Sequence, residues 1–272
     1  MISLSLKTLA SITNGKLYGI NFFIDTIVID TKKIIPGCLF IALIGHKFDG
    51  HIFIKDAIKN GCSAIISEKD IRDHNISYIV VQNTSIALGQ IASYVRKITN
   101  PKILAITGSC GKTSVKEMTA SILREKGNTI ATIKNFNNNI GVSLTLLQLT
   151  KKHKYGVIEL GASQPGEISY TSNISQPEVI LINNIHYAHL TGFKSLLGVS
   201  KAKSEIFSGI KSNGTVIINL DSHHLSQWKK NIREKNILYF SIKKKNIAIF
   251  FLLILIFIYM VHLLRCIHHV EK

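Results

Sequence analysis

The sequence predicts an α/β protein: a small N-terminal α/β unit, then a parallel-sheet domain built round a phosphate loop, then a hydrophobic C-terminal helix. Three observations predict it. From Lys102 onward, short apolar runs alternate with stretches of helical periodicity. A glycine-rich loop ending in Lys112-Thr113 joins the first such run to the first such helix, and Ile247 to Val261 is an unbroken apolar stretch.

In chain order, Leu4 to Ile12 carries apolar residues at near-helical spacing and stops at Asn14-Gly15. Thr26–Ile29 and Leu39–Leu43 read as strands separated by the turn-forming Pro36-Gly37. Ile52–Ile58 reads as a helix closed by Asn60-Gly61, Ala64–Ile66 and Tyr78–Val81 as strands, and Ile86–Val95 as a helix before Asn100-Pro101. Beyond it, Ile103–Ile106 is a buried-strand candidate, and Val115, Met118, Ile122 and Leu123 share one face of a helix that Gly127 ends. Strands follow at Thr129–Ile133, Gly156–Leu160, Val179–Ile182 and Thr215–Ile218, with a helix from Leu196 to Phe207 before the last. Strands alternating with helices imply a parallel sheet covered on both faces. The terminal apolar run follows Lys243-Lys244-Lys245. As a helix its span to Val261 reaches ~22 Å, and to Leu264 ~27 Å, against a hydrocarbon core of ~30 Å. That makes it a marginal membrane span.

Composition narrows the function classes. A chain of 272 residues that is 46% hydrophobic with 4 Pro is neither collagen-like nor disordered. It has the length of about two domains at ~100–200 residues each. Cys38, Cys62, Cys110 and Cys266 form no CxxC pair and no zinc spacing, which argues against a disulfide scaffold and for a reducing cytosol. The net charge of +17 would suit nucleic acid or an anionic membrane, but the Lys and Arg are scattered without an aromatic-interleaved stripe. No nucleic-acid partner is expected, and a polyanionic small molecule is compatible with the charge. Met1 to Lys7 lacks a basic segment followed by a long apolar core, so no export signal is expected.

The chemistry-bearing stretch is Thr107-Gly108-Ser109-Cys110-Gly111-Lys112-Thr113-Ser114, between the predicted strand and the amphipathic helix. Glycines let backbone N–H groups approach phosphate oxygens, and the helix start adds positive potential. Lys112 can reach the β/γ-phosphates, and the Thr113 hydroxyl can ligate magnesium. Ile106 stands where the usual pattern has its first glycine, so the loop is a shortened variant. An ordinary βα turn would leave Lys and Thr together at the helix start by accident. Cys110 is paired with no base in the sequence and reads as a small spacer. Asn135 to Val142, with three adjacent Asn, reads alone as a solvated turn. Glu159 stands near the C-terminal end of its strand, the edge where open α/β sheets bind ligands, and can be structural or hold metal. His189 can pack or ligate, and Lys201 and Lys203 can form a solvated helix face.

Taken as an ordered series, these stretches resemble the Mur ligases. The resemblance covers roughly residues 1 to 241. It rests on Ile106 to Thr119, Asn137-Asn138-Asn139-Ile140-Gly141-Val142, Val157 to Ala162, Ala188-His189-Leu190 and Lys201 to Phe207. It implies an ATP-driven amide ligation within the branch that adds D-alanyl-D-alanine to UDP-N-acetylmuramoyl-tripeptide in peptidoglycan synthesis. There the γ-phosphoryl group passes to the tripeptide carboxylate, and the D-alanyl-D-alanine amine attacks the acyl phosphate.

By that resemblance, residues Thr107 to Ser114, with Asn138, bind ATP, Lys112 acting on its phosphates. Thr113 and Glu159 hold a first Mg2+. His189 and Lys203 help place a second, and with Lys112 they make up the catalytic set. Lys203 acts as a carbamate, whose anionic oxygens suit Mg2+ where an ammonium would repel it. Lys203 rather than Lys201 takes this position because His189 fixes the register.

Residues 1–99 resemble the family's UDP-muramoyl-peptide-binding module through Asp30-Thr31-Lys32, Pro36 to Phe40 and the Gly45 to His51 loop. Thr31, Gly45, Asp49 and His51 are the expected substrate contacts. Lys32 replaces the family's usual Arg and offers no planar fork. Ser163-Gln164 stands for the usual Asn-His, and Ser143 for the usual Pro. Residues 100–241 correspond to a central ATP-binding domain, incomplete by this reading. The resemblance ends near Ser241, whereas family members continue into a domain that grips the amine substrate. Residues 242–272 are therefore expected to be frameshift-derived or a fused hydrophobic segment. A cytoplasmic monomer is expected. Two other readings stay open: a non-catalytic nucleotide- or UDP-sugar-binding remnant with a membrane-associating tail, and a sister ligase adding the third amino acid or polyglutamating folate.

Overall fold

A computed structural model of the chain describes residues 1–45, 48–72, 75–188, 190–228, 232 and 235–241. The predicted apolar helix and the whole of 242–272 lie outside the described residues, as do His46 and Lys47 of the Gly45 to His51 loop, and His189. Among the described residues no helix is long and apolar enough to cross a membrane. The chain forms two compact units, Met1–Asn100 with Ser143–Lys152, and Pro101–Val142 with the chain from His153 onward.

In the first unit the elements run β1 (Leu4–Ser5), α1 (Leu6–Ile12), β2 (Lys16–Tyr18), β3 (Phe23–Ile24), β4 (Ile27–Val28) and β5 (Leu39–Ile41). They continue through α2 (Ile54–Lys59), β6 (Ala64–Ser67), β7 (Ser77–Val80) and α3 (Thr84–Thr99). A five-stranded sheet has the order β2-β7-β6-β5-β4, parallel except where β2 meets β7. Its core gathers Cys38, Phe40, Ala42, Ile54, Ala57, Cys62, Ile65 and Tyr78. The helix expected from Leu4 starts at Leu6 instead, because Leu4 and Ser5 pair antiparallel with β3 and the Ser5 hydroxyl caps α1 by accepting from Thr8 N at 3.1 Å. Strand β2 was not expected. Three residues without clear alternation become a strand only because β7 offers them a ladder. The helix expected from Ile86 begins two residues earlier and runs to Thr99. Asn83 caps it, accepting from Ile86 N at 2.8 Å, and Asn100 ends it in the left-handed region at φ 46°.

The second unit contains β8 (Lys102–Thr107), α4 (Lys112–Arg124), β9 (Thr129–Ala131), the start of α5 (Asn139–Leu147) and β10 (Tyr155–Glu159). It goes on to α6 (Glu167–Ser175), β11 (Val179–Ile182), α7 (Leu190–Phe193), α8 (Leu196–Ser204), β12 (Thr215–Asn219) and β13 (Asn236–Phe240). All six strands pair in parallel in the order β13-β12-β11-β8-β10-β9. The chain leaves β8 toward one side of the sheet and returns to its other side at β11, so the C-terminal end of β8 is the switch point where such sheets bind ligands. Leu104, Ile106, Val157, Leu181 and Ile217 pack with Val115, Ala120 and Leu123 of α4 in one core.

Helices α5 and α6 were not expected, since Asn-rich and Ser-rich stretches carry weak periodicity, and strand β13 was not expected either although Ile237 to Phe240 is an apolar run. The helix expected to Phe207 ends as α8 at Ser204 and tightens into a 3-10 turn over Glu205–Gly209. Leu181 lies on a central strand with no exposed surface. Leu181→Ala should lower unfolding free energy by ~2–5 kcal/mol, read as a lower urea midpoint with an unchanged slope.

Candidate functional site

The loop after β8 turns through two glycines in the positive-φ region, Gly108 at 153° and Gly111 at 73°. A Cβ at Gly108 would stand 3.0 Å from Asn183 Cβ and 3.2 Å from Asn184 N, so the loop lies directly against the chain that leaves β11. Gly111 is the N-cap of α4, and Lys112 and Thr113 form its first turn. The Lys112 ammonium reaches back along the loop to Gly108 O at 2.9 Å and Ser109 O at 3.4 Å. Thr107 is buried, and its hydroxyl donates to Leu160 O at 2.9 Å, tying the ends of β8 and β10 together. Ser109 exchanges hydrogen bonds with the backbone of His186, both at 2.9 Å. Cys110 and Ser114 are exposed.

An asparagine clamp shapes this loop. Asn184 accepts from Cys110 N at 2.9 Å and from Ser109 N at 3.1 Å, and donates to Cys110 O at 3.0 Å. Asn183 also donates to Cys110 O, at 2.8 Å, while its own carbonyl accepts from Asn219 at 2.9 Å. Nothing in their sequence spacing singled out Asn183 and Asn184. The one available signal was two adjacent polar residues at the end of an apolar strand, and its meaning depends on β11 pairing with β8.

Glu159 closes the opposite side of the site. It is buried, with 1% of its surface exposed, which is costly for a carboxylate unless each oxygen is bonded. Oε2 accepts from the Thr113 hydroxyl at 2.9 Å, Oε1 accepts from Asn137 Nδ2 at 2.8 Å, and Glu159 N donates to the Thr132 hydroxyl at 2.9 Å. The loop thus meets the acidic strand tip through the two residues expected to share a metal. A hydroxyl and a carboxylate are hard oxygen donors of the kind Mg2+ takes, and it commonly completes its shell with phosphate oxygens and water. Among the described residues no three His, Cys, Asp or Glu gather into a metal cage, so a fit to Mg2+ rests on this pair together with a phosphorylated ligand. Asn138 spends its side-chain oxygen on Gly141 N at 2.8 Å, capping α5.

Lys203 is buried at 1% exposure, whereas Lys201 on the same helix is exposed. Its ammonium lies 5.9 Å from the centre of the Phe193 ring. Burial first, and the nearby Lys112 ammonium second, push the Lys203 amine down to about 8, against an upward pull from Glu205. His189, expected to work with Lys203, lies outside the described residues, immediately before α7.

The expected substrate residues lie in the first unit. Asp49 accepts from His51 N at 2.9 Å, from His51 Nδ1 and from Lys69 Nζ at 2.8 Å. These bonds, Lys69 foremost, hold its carboxyl well below the usual carboxylate range. His51 Nε2 accepts from Glu68 N at 2.9 Å, so the ring carries its proton on Nδ1, facing Asp49. Gly45 N donates to Phe48 O at 2.9 Å across the same turn. Thr31 accepts at its carbonyl from Asn60 Nδ2 at 3.3 Å. The structure joins Asp49 to His51 and gives both side chains internal partners.

Residues 106–253 match the Mur ligase middle domain, and residues 23–106 match the Mur ligase family catalytic domain. The first match runs past Ser241, where the resemblance was expected to end. The UDP-N-acetylmuramoyl-tripeptide--D-alanyl-D-alanine ligase of Buchnera aphidicola subsp. Acyrthosiphon pisum (strain APS) is 75% identical over 251 residues, covering 92% of this chain and 55% of that protein. The ligase of the same name from Escherichia coli (strain K12) is 45% identical over 246 residues, covering 90% and 54%. A crystal structure of MurF from Acinetobacter baumannii superposes with a TM-score of 0.84 at 38% identity, covering 87% of this chain and 53% of that one. MurF ligase from Thermotoga maritima in complex with ADP gives 0.71 at 29% identity, covering 80% and 50%. The chain spans about half the length of the curated relatives it matches.

The depressed amine of Lys203 predicts a signature in stability. With a folded value below the unfolded 10.5, the unfolded chain binds more protons between about pH 8 and 10.5, and stability rises with pH across that window. Lys203→Met should raise the urea midpoint at pH 7.5, and its advantage, ~3 kcal/mol at most, should shrink toward pH 10. An advantage that stays constant from pH 7.5 to 10 would show that the ammonium is not desolvated.

Proposed function

The chain belongs to the Mur ligase family, and from that premise we propose that it supplies the nucleotide-binding and UDP-sugar-binding parts of an ATP-dependent ligase. The reaction is the joining of D-alanyl-D-alanine to UDP-N-acetylmuramoyl-tripeptide in peptidoglycan synthesis, through an acyl phosphate. One observation carries the reading: a phosphate loop whose Thr113 hydroxyl touches the buried carboxylate of Glu159 at 2.9 Å. The identity to the Buchnera ligase supports the choice of branch within the family.

In this reading residues 1–99 bind the UDP-muramoyl peptide and residues 100–241 bind ATP, and the family match to residue 253 carries the ATP-binding part into the segment expected as a hydrophobic tail. Backbone N–H groups of the loop and of the first turn of α4 receive the phosphates, with the helix start favouring their charge. Lys112 exchanges its two carbonyl partners for phosphate oxygens, a stronger, charge-assisted pairing. Thr113 and Glu159 would hold Mg2+, which when bound offsets charge on the transferring phosphoryl group. Asn138 contributes to the nucleotide pocket through the turn it caps.

His189 and Lys203 complete the set. An amine pushed down to about 8 is unprotonated in about a quarter of molecules near pH 7.5. Only that form can attack CO2 to give the carbamate, releasing its proton to solvent. On the sugar side, Thr31 and the turn from Gly45 through Asp49 and His51 face the UDP group. Because Asp49 and His51 already satisfy each other, they shape the turn whose backbone makes the contacts. The free thiols Cys38, Cys62 and Cys110 suit a cytoplasmic chain, and we take it to act as a monomer.

Lys112→Ala should weaken ATP binding at least tenfold by calorimetry, since a charge-assisted contact of ~1.5–3 kcal/mol is lost. ADP release that requires both UDP-N-acetylmuramoyl-tripeptide and D-alanyl-D-alanine is the readout of the complete ligation, and absence of turnover would cancel ligation by this chain alone while leaving its family membership intact. Unchanged ATP affinity in the variant would overturn the nucleotide assignment, and ADP release indifferent to the two acceptors would overturn the ligase assignment.

A further inference from the structure

Behind Glu159 lies a second set of groups that the ligation reading does not use. Lys116, one helical turn beyond Lys112, has no exposed surface. Its ammonium donates to Thr132 O at 2.7 Å and Lys134 O at 3.3 Å, and pairs with Glu117 Oε1 at 2.8 Å. A buried ammonium costs several kcal/mol unless all three of its protons find acceptors, and here three acceptors meet it. Two of them are main-chain carbonyls of the irregular turn that follows β9, in which Lys134 adopts a left-handed φ of 49°. A non-glycine residue persists in that region only when its surroundings hold it there. Lys116 is such a hold, a tethered cation at the centre of the turn.

The same turn delivers Asn137. Its carbonyl accepts from Gly161 N at 2.9 Å, and its side chain lies flat against Gly161, where a Cβ would come within 2.5 Å of Asn137 Oδ1. Wedged there, Asn137 Nδ2 donates to Glu159 Oε1 at 2.8 Å. Only the amide nitrogen suits that position, because an amide oxygen facing a carboxylate oxygen would repel it. Thr132, whose carbonyl Lys116 grips, accepts from Glu159 N through its hydroxyl. Both ends of Glu159 are therefore fixed by one turn, and Oε2 is the oxygen left facing Thr113.

We infer that Asn137 is a positioning residue for the divalent cation: seated on Gly161 by the Lys116-pinned turn, it fixes the Glu159 carboxylate so that Oε2 faces the cation. The inference rests on the reading of Thr113 and Glu159 as the cation site. Groups that orient a metal-ligating side chain in this way are typically worth ~10–100-fold in metal affinity.

The test uses the whole chain with ADP and Mn2+ as probes. Mn2+ affinity in the presence of ADP is read by electron paramagnetic resonance. ADP affinity is read by calorimetry in EDTA and in Mn2+, and the melting temperature is recorded for each variant. Asn137→Ala should lower Mn2+ affinity ~10–100-fold while leaving ADP affinity in EDTA within twofold of the parent chain. Gly161→Ala reaches the same contact from the other side, by displacing the carboxamide, and should reproduce the loss. It decides the matter if Asn137→Ala fails to fold. Mn2+ affinity within twofold of the parent, or an equal loss of ADP affinity with and without metal, would overturn the inference. If Glu159→Gln leaves Mn2+ binding intact, or the parent chain shows no metal-dependent gain, the cation site itself is misplaced and the inference falls with it.

Discussion

The register of β8 between β10 and β11 is the constraint from which the site follows. Glu159 stands opposite Ile106, and Ile182 opposite Thr107, so three strand ends finish at one level of the sheet. A parallel sheet covered on both faces must be apolar along its strands, and β8, β10 and β11 are buried almost throughout. Polar groups can then emerge only where strands end. Thr107, Glu159 and Asn183 are the first polar side chains available there, and the pairing brings all three to the phosphate loop. A slip of one residue in β10 would turn Glu159 to the other face and leave Thr113 without its partner.

Three buried charges in this unit are handled differently, and the differences sort their roles. Glu159 and Lys116 are compensated by hydrogen bonds on every side, each worth ~1.5–3 kcal/mol to a charged group against a desolvation cost of several kcal/mol. They are fixtures. Among the described residues Lys203 has only an aromatic ring 5.9 Å from its ammonium and the pull of Glu205 to set against burial and another ammonium nearby, and its amine answers by falling to about 8. Incomplete compensation keeps a group chemically available, which fits a nucleophilic amine better than a structural one. Lys112 belongs to neither class: it is only part-buried and rests on two carbonyls that a phosphate can replace.

Much of the fold and part of the site were legible in advance. The apolar runs of β8, β10, β11 and β12 and the helix after the loop stand close to where periodicity put them, because buried parallel strands and an amphipathic helix write their burial directly into residue order. Strand β2 escaped notice because an edge strand needs no apolar run, β13 was passed over although Ile237 to Phe240 is apolar, and α6 was missed because its Ser, Thr and Asn residues find buried partners that periodicity does not reveal. In the first unit, Asp49 and His51 were expected only as substrate contacts, by the family resemblance. Their closed circuit with Glu68 and Lys69 was not, since it crosses to the segment after β6.

From residue order alone came the chemistry of a phosphate loop, the succession of motifs behind the family likeness, and the acidic residue at a strand tip. Tertiary structure alone decided which polar residues surround them: the Asn183 and Asn184 clamp, the Asn137 contact with Glu159, and the burial of Lys203 beside an exposed Lys201. A phosphate loop is local, its glycines, lysine and helix start being consecutive. The neighbours of a strand end are set by which strands pair and in what register, and that depends on burying apolar surface between residues far apart in the chain.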